Sequence, residues 1–145
     1  MRKVGFVLPL LLVVLSCRPS LVSKKREAIV NTARSLLGSP YKYGGASPYE
    51  GFDCSGFVYY VFRVNGIELP RTAEDQMKAG RRVFRRKFKP ADLLFFRTGK
   101  KTLHVGIYAG KGKMIHVSLR ERKVIIEDVR TSYWREKFYR AKRII

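Results

Sequence analysis

Three side chains in this sequence have the types needed for nucleophilic acyl transfer: Cys54, His104 and His116, the last two being its only histidines. A thiol becomes a working nucleophile when a base removes its proton and a third group fixes the tautomer of that base. Cys54 stands in Phe52-Asp53-Cys54-Ser55-Gly56-Phe57, after a glycine-rich loop and at the first position of an apolar helical period. A cysteine there faces the positive end of a helix dipole, which favours thiolate over an ordinary thiol of pKa about 8.5. The amides of the same turn can form an oxyanion site. Taken alone, Cys54 reads more readily as a small apolar residue packed beside Phe57.

The segment joining the histidines changes that reading. Val105 to Ile115 has two strand-like halves around Gly110-Lys111-Gly112, with glycine available for the left-handed position that a three-residue hairpin loop wants. In that register Ala109 faces Lys113, Tyr108 faces Met114, Gly106 faces His116 and His104 faces Ser118. Both imidazoles then share one face as diagonal neighbours about 7–8 Å apart, with Gly106 leaving room beside them. Val105, Ile107, Ile115 and Val117 turn to the opposite face, and a slip of one residue would separate the pair. A cysteine and two histidines also suit zinc. No Cys-x-x-Cys pair accompanies them, so the expectation is a site without metal or cofactor.

The elements that must carry these groups are legible in outline. Ser23 is a possible N-cap for a helix with Ile29, Ala33, Leu36 and Leu37 on one side, ended by Gly38-Ser39-Pro40. Residues 41–51, with three glycines and three tyrosines but no period, form a shaped loop of the kind that holds binding groups. A second helix is predicted from Cys54 to about Asn65, and a short third one opens at Thr72. Strands follow at 93–97, 104–109, 113–118, 123–128 and near 138–145. Helices first and antiparallel strands afterwards give an α+β fold with a sheet of about five strands.

The chain has 145 residues, 46% of them apolar and 12% aromatic, which suits one compact domain. Its start reads as an export signal over residues 1–16, with basic Arg2 and Lys3, an apolar run from Val4 to Leu15 containing Pro9, and then Ser16-Cys17. The run is short for a membrane span, which takes about 20 residues. Val14-Leu15-Ser16-Cys17 resembles a bacterial lipobox, which would make Cys17 a lipidated N-terminus; the plainer reading is a signal whose cysteine is incidental. The expected organisation is therefore a signal, a tether at 17–23 and a domain at 24–145. Of two cysteines in an exported chain, either both pair, or one is lipidated and Cys54 is left as a free thiol. The net charge of +20 sets up a strong field. No nucleic-acid motif accompanies it and export leads away from genomes, so nucleic acid is not an expected partner. Much of the charge lies in Arg81 to Lys89, where basics alternate with aromatics. That stretch reads either as a solvated edge or as a contact with anionic wall polymers or lipid headgroups.

At these residues the chain resembles the NlpC-type cell-wall peptidases, papain-like enzymes that cut the peptide stems of peptidoglycan. The resemblance spans roughly Ala28 to Ile145. It rests on Gly38-Ser39-Pro40-Tyr41-Lys42-Tyr43-Gly44-Gly45, Asp53-Cys54-Ser55-Gly56-Phe57, Leu69-Pro70-Arg71-Thr72, Ala91-Asp92-Leu93-Leu94-Phe95-Phe96, His104-Val105-Gly106-Ile107-Tyr108 and Ile115-His116. It implies a papain-like fold and a catalytic triad of Cys54, His104 and His116, with Tyr43 near the oxyanion site. It further implies substrate contacts at Asp53 and Ser55. Arg71 and Gln76 match recurrent positions, to touch substrate or to brace the fold. Ala91 stands where the family commonly has Gly, and Val117 where it often has a smaller residue; neither removes a reactive group. The implied protein is a monomeric peptidoglycan hydrolase, lipid-anchored at Cys17 and facing the wall, with stem peptides as its substrate. A non-catalytic wall-binding lipoprotein, or an acyltransferase or amidase using the same three residues, are the competing readings.

Overall fold

The computed structural model describes residues 4–5 and 18–145; the expected signal at 1–16 and Cys17 otherwise fall outside the described residues. The elements in order are α1 (Leu21–Ser35), β1 (Ala46–Ser47), β2 (Gly51–Phe52), α2 (Cys54–Val64), α3 (Ala73–Gln76), β3 (Arg81–Val83), β4 (Leu93–Arg97), β5 (Leu103–Gly110), β6 (Lys113–Ser118), β7 (Lys123–Asp128), α4 (Ser132–Lys137) and β8 (Phe138–Arg143). Among the described residues every helix and strand, and both apolar clusters, lie between Leu21 and Ile145.

β4 to β7 form an antiparallel meander; β8 returns along the free side of β4 and β3 closes that edge, giving six strands in the order β3-β8-β4-β5-β6-β7. The sheet is one strand larger than predicted, because Arg81–Val83 pairs with β8 through Arg81↔Arg143, Arg82↔Lys142 and Val83↔Ala141. Only Val83 of the three is buried, so this strand carries no apolar alternation to signal it. A short charged strand is also how sheets blunt an exposed edge.

The two faces of the sheet are covered differently. Leu93 and Phe95, Val105 and Ile107, and Ile115 and Val117 point to the face on which α1 and α2 pack through Ile29, Ala33, Phe57, Val58, Val61 and Phe62. Leu94, Phe96, Met114 and Ala141 point the other way, under Trp134 of α4. Burial of both faces is why β4 reads Leu-Leu-Phe-Phe without alternation.

The helix starts are set by side-chain caps. Ser20, not Ser23, opens α1, its Oγ accepting from the Ser23 N–H at 3.1 Å. The helix therefore begins two residues before the predicted cap. Asp53 opens α2, accepting the Gly56 N–H at 2.6 Å. Gly56 lies directly beneath the Gly45 carbonyl, and any side chain there would collide with that oxygen and with Asp53. That close approach fastens the 41–51 loop to the start of α2. The predicted irregular loop itself contains the β1–β2 pair, joined as Ala46↔Phe52 and Ser47↔Gly51.

The hairpin between the histidines follows the expected pairing of Tyr108 with Met114, but it closes differently. Gly110, not Ala109, pairs with Lys113, and the register shifts between Tyr108 and Gly110. Lys111 and Gly112 both take positive φ, 52° and 73°, the tight two-residue turn that right-handed strand twist prefers. The extra residue is absorbed as a bulge, leaving the histidine face intact.

Candidate active site

The site forms where the N-terminus of α2 meets the first residues of β5. The Cys54 thiol is partly buried and receives a hydrogen bond from the Val105 N–H, which fixes it against the residue that follows His104. Burial raises the thiol pKa, and this outweighs the hydrogen bonds from the amides of Val105, Ser55 and Cys54 itself, which favour thiolate; the Asp53 charge also pushes it up. The helix dipole alone led to the opposite expectation. Desolvation wins because the thiol sits in the wall of the main core cluster.

His104 and His116 lie on one face of the sheet, as the register requires. Gly106 between them makes this possible: a Cβ there would press on the Met114 sulfur at 2.9 Å and on the His116 Cβ at 3.1 Å. The rings meet edge to face with centroids 5.0 Å apart, and Nε2 of His104 is 2.8 Å from Nδ1 of His116. On its far side, His116 Nε2 is 2.8 Å from Oε2 of Glu127.

This chain of contacts assigns the protons. A carboxylate only accepts, so His116 carries its proton on Nε2 and its Nδ1 is a lone pair. His104 must then donate from Nε2, which leaves Nδ1 of His104 as the lone pair able to take a proton from a thiol. Burial, followed by the proximity of His116, lowers the His104 pKa to about 3, with Glu127 acting weakly the other way. The resting pair is therefore a neutral imidazole and a neutral thiol.

Glu127 and Trp134 are the site residues that sequence reasoning missed. Glu127 of β7 pairs with Met114 while His116 pairs with Ile125, so the carboxylate is diagonal to His116 on the same face. The His116 hydrogen bond holds its pKa below the ordinary carboxylate value. Trp134 stacks on His104 at 5.6 Å and 24°, and meets His116 edge-on at 5.3 Å and 84°. Both imidazoles thus sit under an aromatic roof. An acid on the histidine side of a predicted strand was a readable signal. The lone tryptophan was not, because no period marks the six-residue helix that carries it.

Asp53, Ser55 and Arg71 come together beside the cysteine. Arg71 forks onto Asp53 with contacts of 3.0 and 2.9 Å and also donates to Ser55 Oγ at 2.9 Å and to the Gly45 carbonyl at 3.3 Å. Gln76 is buried, donating to the carbonyls of Ser55 and Pro70 at 3.0 and 2.8 Å, and so braces the same turn from below. Tyr43 lies on the 41–51 loop, 88% exposed, with no side-chain hydrogen bond joining it to the other site residues. A cleft of about 420 Å³ opens over the imidazoles, lined by His104, His116, Glu127, Trp134, Leu119 and Tyr133. Among the described residues no group of three His, Cys, Asp or Glu side chains is arranged to hold a metal ion.

A helix-borne thiol beside a strand-borne histidine pair is one geometry; the sequence pattern that builds it matches the NlpC/P60 family over residues 38–143. The chain belongs to the NlpC/P60 family. It is 43% identical over 122 residues to the gamma-DL-glutamyl hydrolase of Bacillus subtilis, covering 81% of this chain and 30% of that one. To the murein DD-endopeptidase MepH of Escherichia coli it is 36% identical over 129 residues, covering 86% of this chain and 48% of that one. The chain thus spans less than half the length of these two relatives. A crystal structure of an NlpC/P60 family protein from Bacillus cereus superposes with a TM-score of 0.76 at 36% identity, covering 82% of this chain and 40% of that one. The α+β arrangement is accordingly the papain-like fold of NlpC/P60 domains.

Proposed function

We propose that this NlpC/P60 chain is a cysteine endopeptidase that cleaves stem-peptide bonds of peptidoglycan. The observation that carries the reading is the line from Glu127 through His116 to His104, ending at the strand that holds the Cys54 thiol. Nδ1 of His104 takes the thiol proton as Sγ attacks the carbonyl carbon of the stem peptide. The oxyanion that forms is stabilised by amides at the start of α2, with the Tyr43 hydroxyl as a further donor. His104 returns the proton to the departing amine, and the acyl group stays on sulfur as a thioester. Water, deprotonated by His104, then attacks the thioester and releases the acid and the thiol. Because thiol and imidazole rest neutral, proton transfer accompanies attack and does not precede it.

In this reading Asp53 and Ser55 also receive polar groups of the stem. Arg71 holds both in place and leaves the Asp53 side chain 24% exposed for that purpose. No cofactor enters the scheme. The names of the relatives, a glutamyl hydrolase and a murein endopeptidase, agree with a wall substrate and with export of the protein. The signal at 1–16 and lipidation of Cys17 complete the proposal, placing the domain on the wall-facing side of a bacterial membrane.

The experiment is incubation of wild type and Cys54→Ala with purified peptidoglycan digests, read by mass spectrometry. New stem fragments from wild type alone are expected, and their masses name the bond. Intact substrate with both folded proteins would instead support a wall-binding lipoprotein. Fragments coupled to an added amine would indicate acyl transfer by the same residues.

A further inference from the structure

The basic stretch at 81–89 does not line the cleft, and its parts diverge: Arg85 donates to the Arg135 carbonyl of α4 at 2.8 Å and lies over Phe138 toward the catalytic end, whereas Lys89 stands at the opposite end of the molecule, its N–H bonded to Asp92. β5 starts at the catalytic end with Leu103 and His104 and runs to Gly110, roughly 20 Å away at about 3.3 Å per residue. α1 runs antiparallel to that direction. Its C-terminal end is tied to the start of β7, where the Gly38 N–H donates to Val124 and the Tyr41 N–H to Arg122. Its N-terminal end is held at Asp92, beside the far end of β5. Asp92 accepts from Arg143 at 2.8 and 2.7 Å and from the Lys89 N–H at 2.8 Å, and Arg26 of α1 lies 3.9 Å from it. This buried carboxylate clamps the loop at 85–90 to the first turns of α1, and a crevice of about 300 Å³ between them is lined by Val22, Arg26, Glu27, Lys89 and Pro90.

That end combines exposed aliphatic side chains with unpaired cations. Leu21 and Val22 are 85% and 51% exposed, and Lys24 and Lys25 of the same first turns of α1, with Lys89 of the loop that lines the crevice, are exposed as well. None of these three cations has a carboxylate within ion-pair distance among the described residues, and Glu27 is the one acid lining the crevice. Cations alone would suit a polyanion of any kind. Two bare aliphatic side chains at the same place suit a lipid interface, where apolar groups enter and Lys or Arg meet headgroups.

We propose that this end of the domain docks on an anionic lipid bilayer, with Leu21 and Val22 entering the interface and Lys24, Lys25 and Lys89 contacting headgroups. Docking there holds the catalytic cleft about one strand length from the membrane, pointing away from it. The proposal needs neither lipidation of Cys17 nor hydrolase activity. It fits an anchor all the same, because Cys17 precedes Leu21 by four residues, at most about 14 Å of extended chain. A lipidated chain would leave the bilayer beside this face.

The test uses the chain from Arg18, which contains every described helix and strand, in co-sedimentation with vesicles of phosphatidylcholine alone or mixed with phosphatidylglycerol. Binding to the mixed vesicles only is expected. Lys24→Gln, Lys25→Gln and Lys89→Gln together should weaken it more than tenfold, since each basic residue near an anionic surface contributes about a factor of five. Lys100→Gln, Lys101→Gln and Lys123→Gln, equal in charge at the catalytic end, should weaken it far less. Leu21→Ser with Val22→Ser should weaken it with no change of charge. All three variants should hydrolyse soluble stem fragments as the wild type does, or, should the wild type prove inactive, match its melting temperature. Equal losses in the two charge variants, no effect of the serine pair, or tighter binding to a soluble glycerol-phosphate polymer than to vesicles would each overturn the proposal, the last in favour of a wall polymer.

Discussion

Glu127 offers the sharpest test of how the site is wired, because it lies outside the three residues expected to react. Its carboxylate accepts from His116 at 2.8 Å, and His116 is buried while the Glu127 side chain is 30% exposed. Glu127→Ala removes the acceptor that fixes the His116 tautomer, so His116 is free to place its proton on Nδ1 and His104 loses the partner that keeps its own proton on Nε2. A hydrogen bond to a charged group contributes about 1.5–3 kcal/mol. Partial exposure argues for the lower part of that range, and at about 1.4 kcal/mol per decade kcat should fall roughly 10- to 30-fold, with KM moving less. Glu127→Gln keeps an acceptor oxygen and should lose only about threefold. The pH profile separates this role from simple bracing. Wild-type activity should decline in acid as Glu127 is protonated, below its ordinary value of 4.5, whereas the Gln variant should lack that limb. The assay is steady-state hydrolysis of a purified stem fragment from pH 3 to 9. An Ala variant within threefold of wild type in kcat, with an unchanged profile, would refute the assigned tautomers.

Alkylation of Cys54 by iodoacetamide should accelerate through a pKa above that of an ordinary thiol, since burial raises it; a plateau already present at pH 5 would mean a preformed thiolate–imidazolium pair. Stability should fall as pH drops below about 6.5, because the unfolded chain takes a proton at His104 that the folded site refuses until about pH 3. One such group gives a slope of up to about 1.4 kcal/mol per pH unit in denaturant titrations, and a His104→Phe variant should flatten it. Arg71→Ala removes the guanidinium that joins Asp53, Ser55 and the Gly45 carbonyl and should cost about 1–2 kcal/mol in urea, the pair being partly exposed, together with a loss of kcat. Asp92→Asn leaves Arg143 buried without its partner and should cost about 3–5 kcal/mol, seen as a lower thermal midpoint.

Local rules made the helix starts and central strands legible. The α2 boundary follows from Asp53 as a cap and the Phe57, Val58, Val61 and Phe62 stripe. β4 to β7 follow from their apolar content and intervening turns, and the shared histidine face from a period of two across the hairpin. The failures have a common physical cause. β3 is charged because edges tolerate charge, α4 is too short to show a period, and the cap of α1 shifts by a turn because two serines compete three residues apart. Glu127 and Trp134 reach the histidines only through pairings and packing that join β6, β7 and α4. The raised thiol pKa is the same lesson in energetic form: the dipole at Cys54 is a property of one helix, but its desolvation depends on the whole cluster packed around it.

The two-sided sheet also explains why catalysis requires this topology. The histidines project to the face under Trp134, whereas α2 packs on the opposite face through Phe57, Val58, Val61 and Phe62. A thiol in the middle of α2 would be separated from them by the sheet. Only the first residue of α2, set where β5 begins, can reach His104, and the Val105 amide bonded to Sγ marks that meeting point. Lengthening α2 by one residue before Cys54 would turn the thiol by about 100° around the helix axis and away from that edge. An alanine inserted between Asp53 and Cys54 should therefore abolish hydrolysis, even in protein that keeps its helix content. Retained activity there would show that the thiol does not depend on this corner of the sheet.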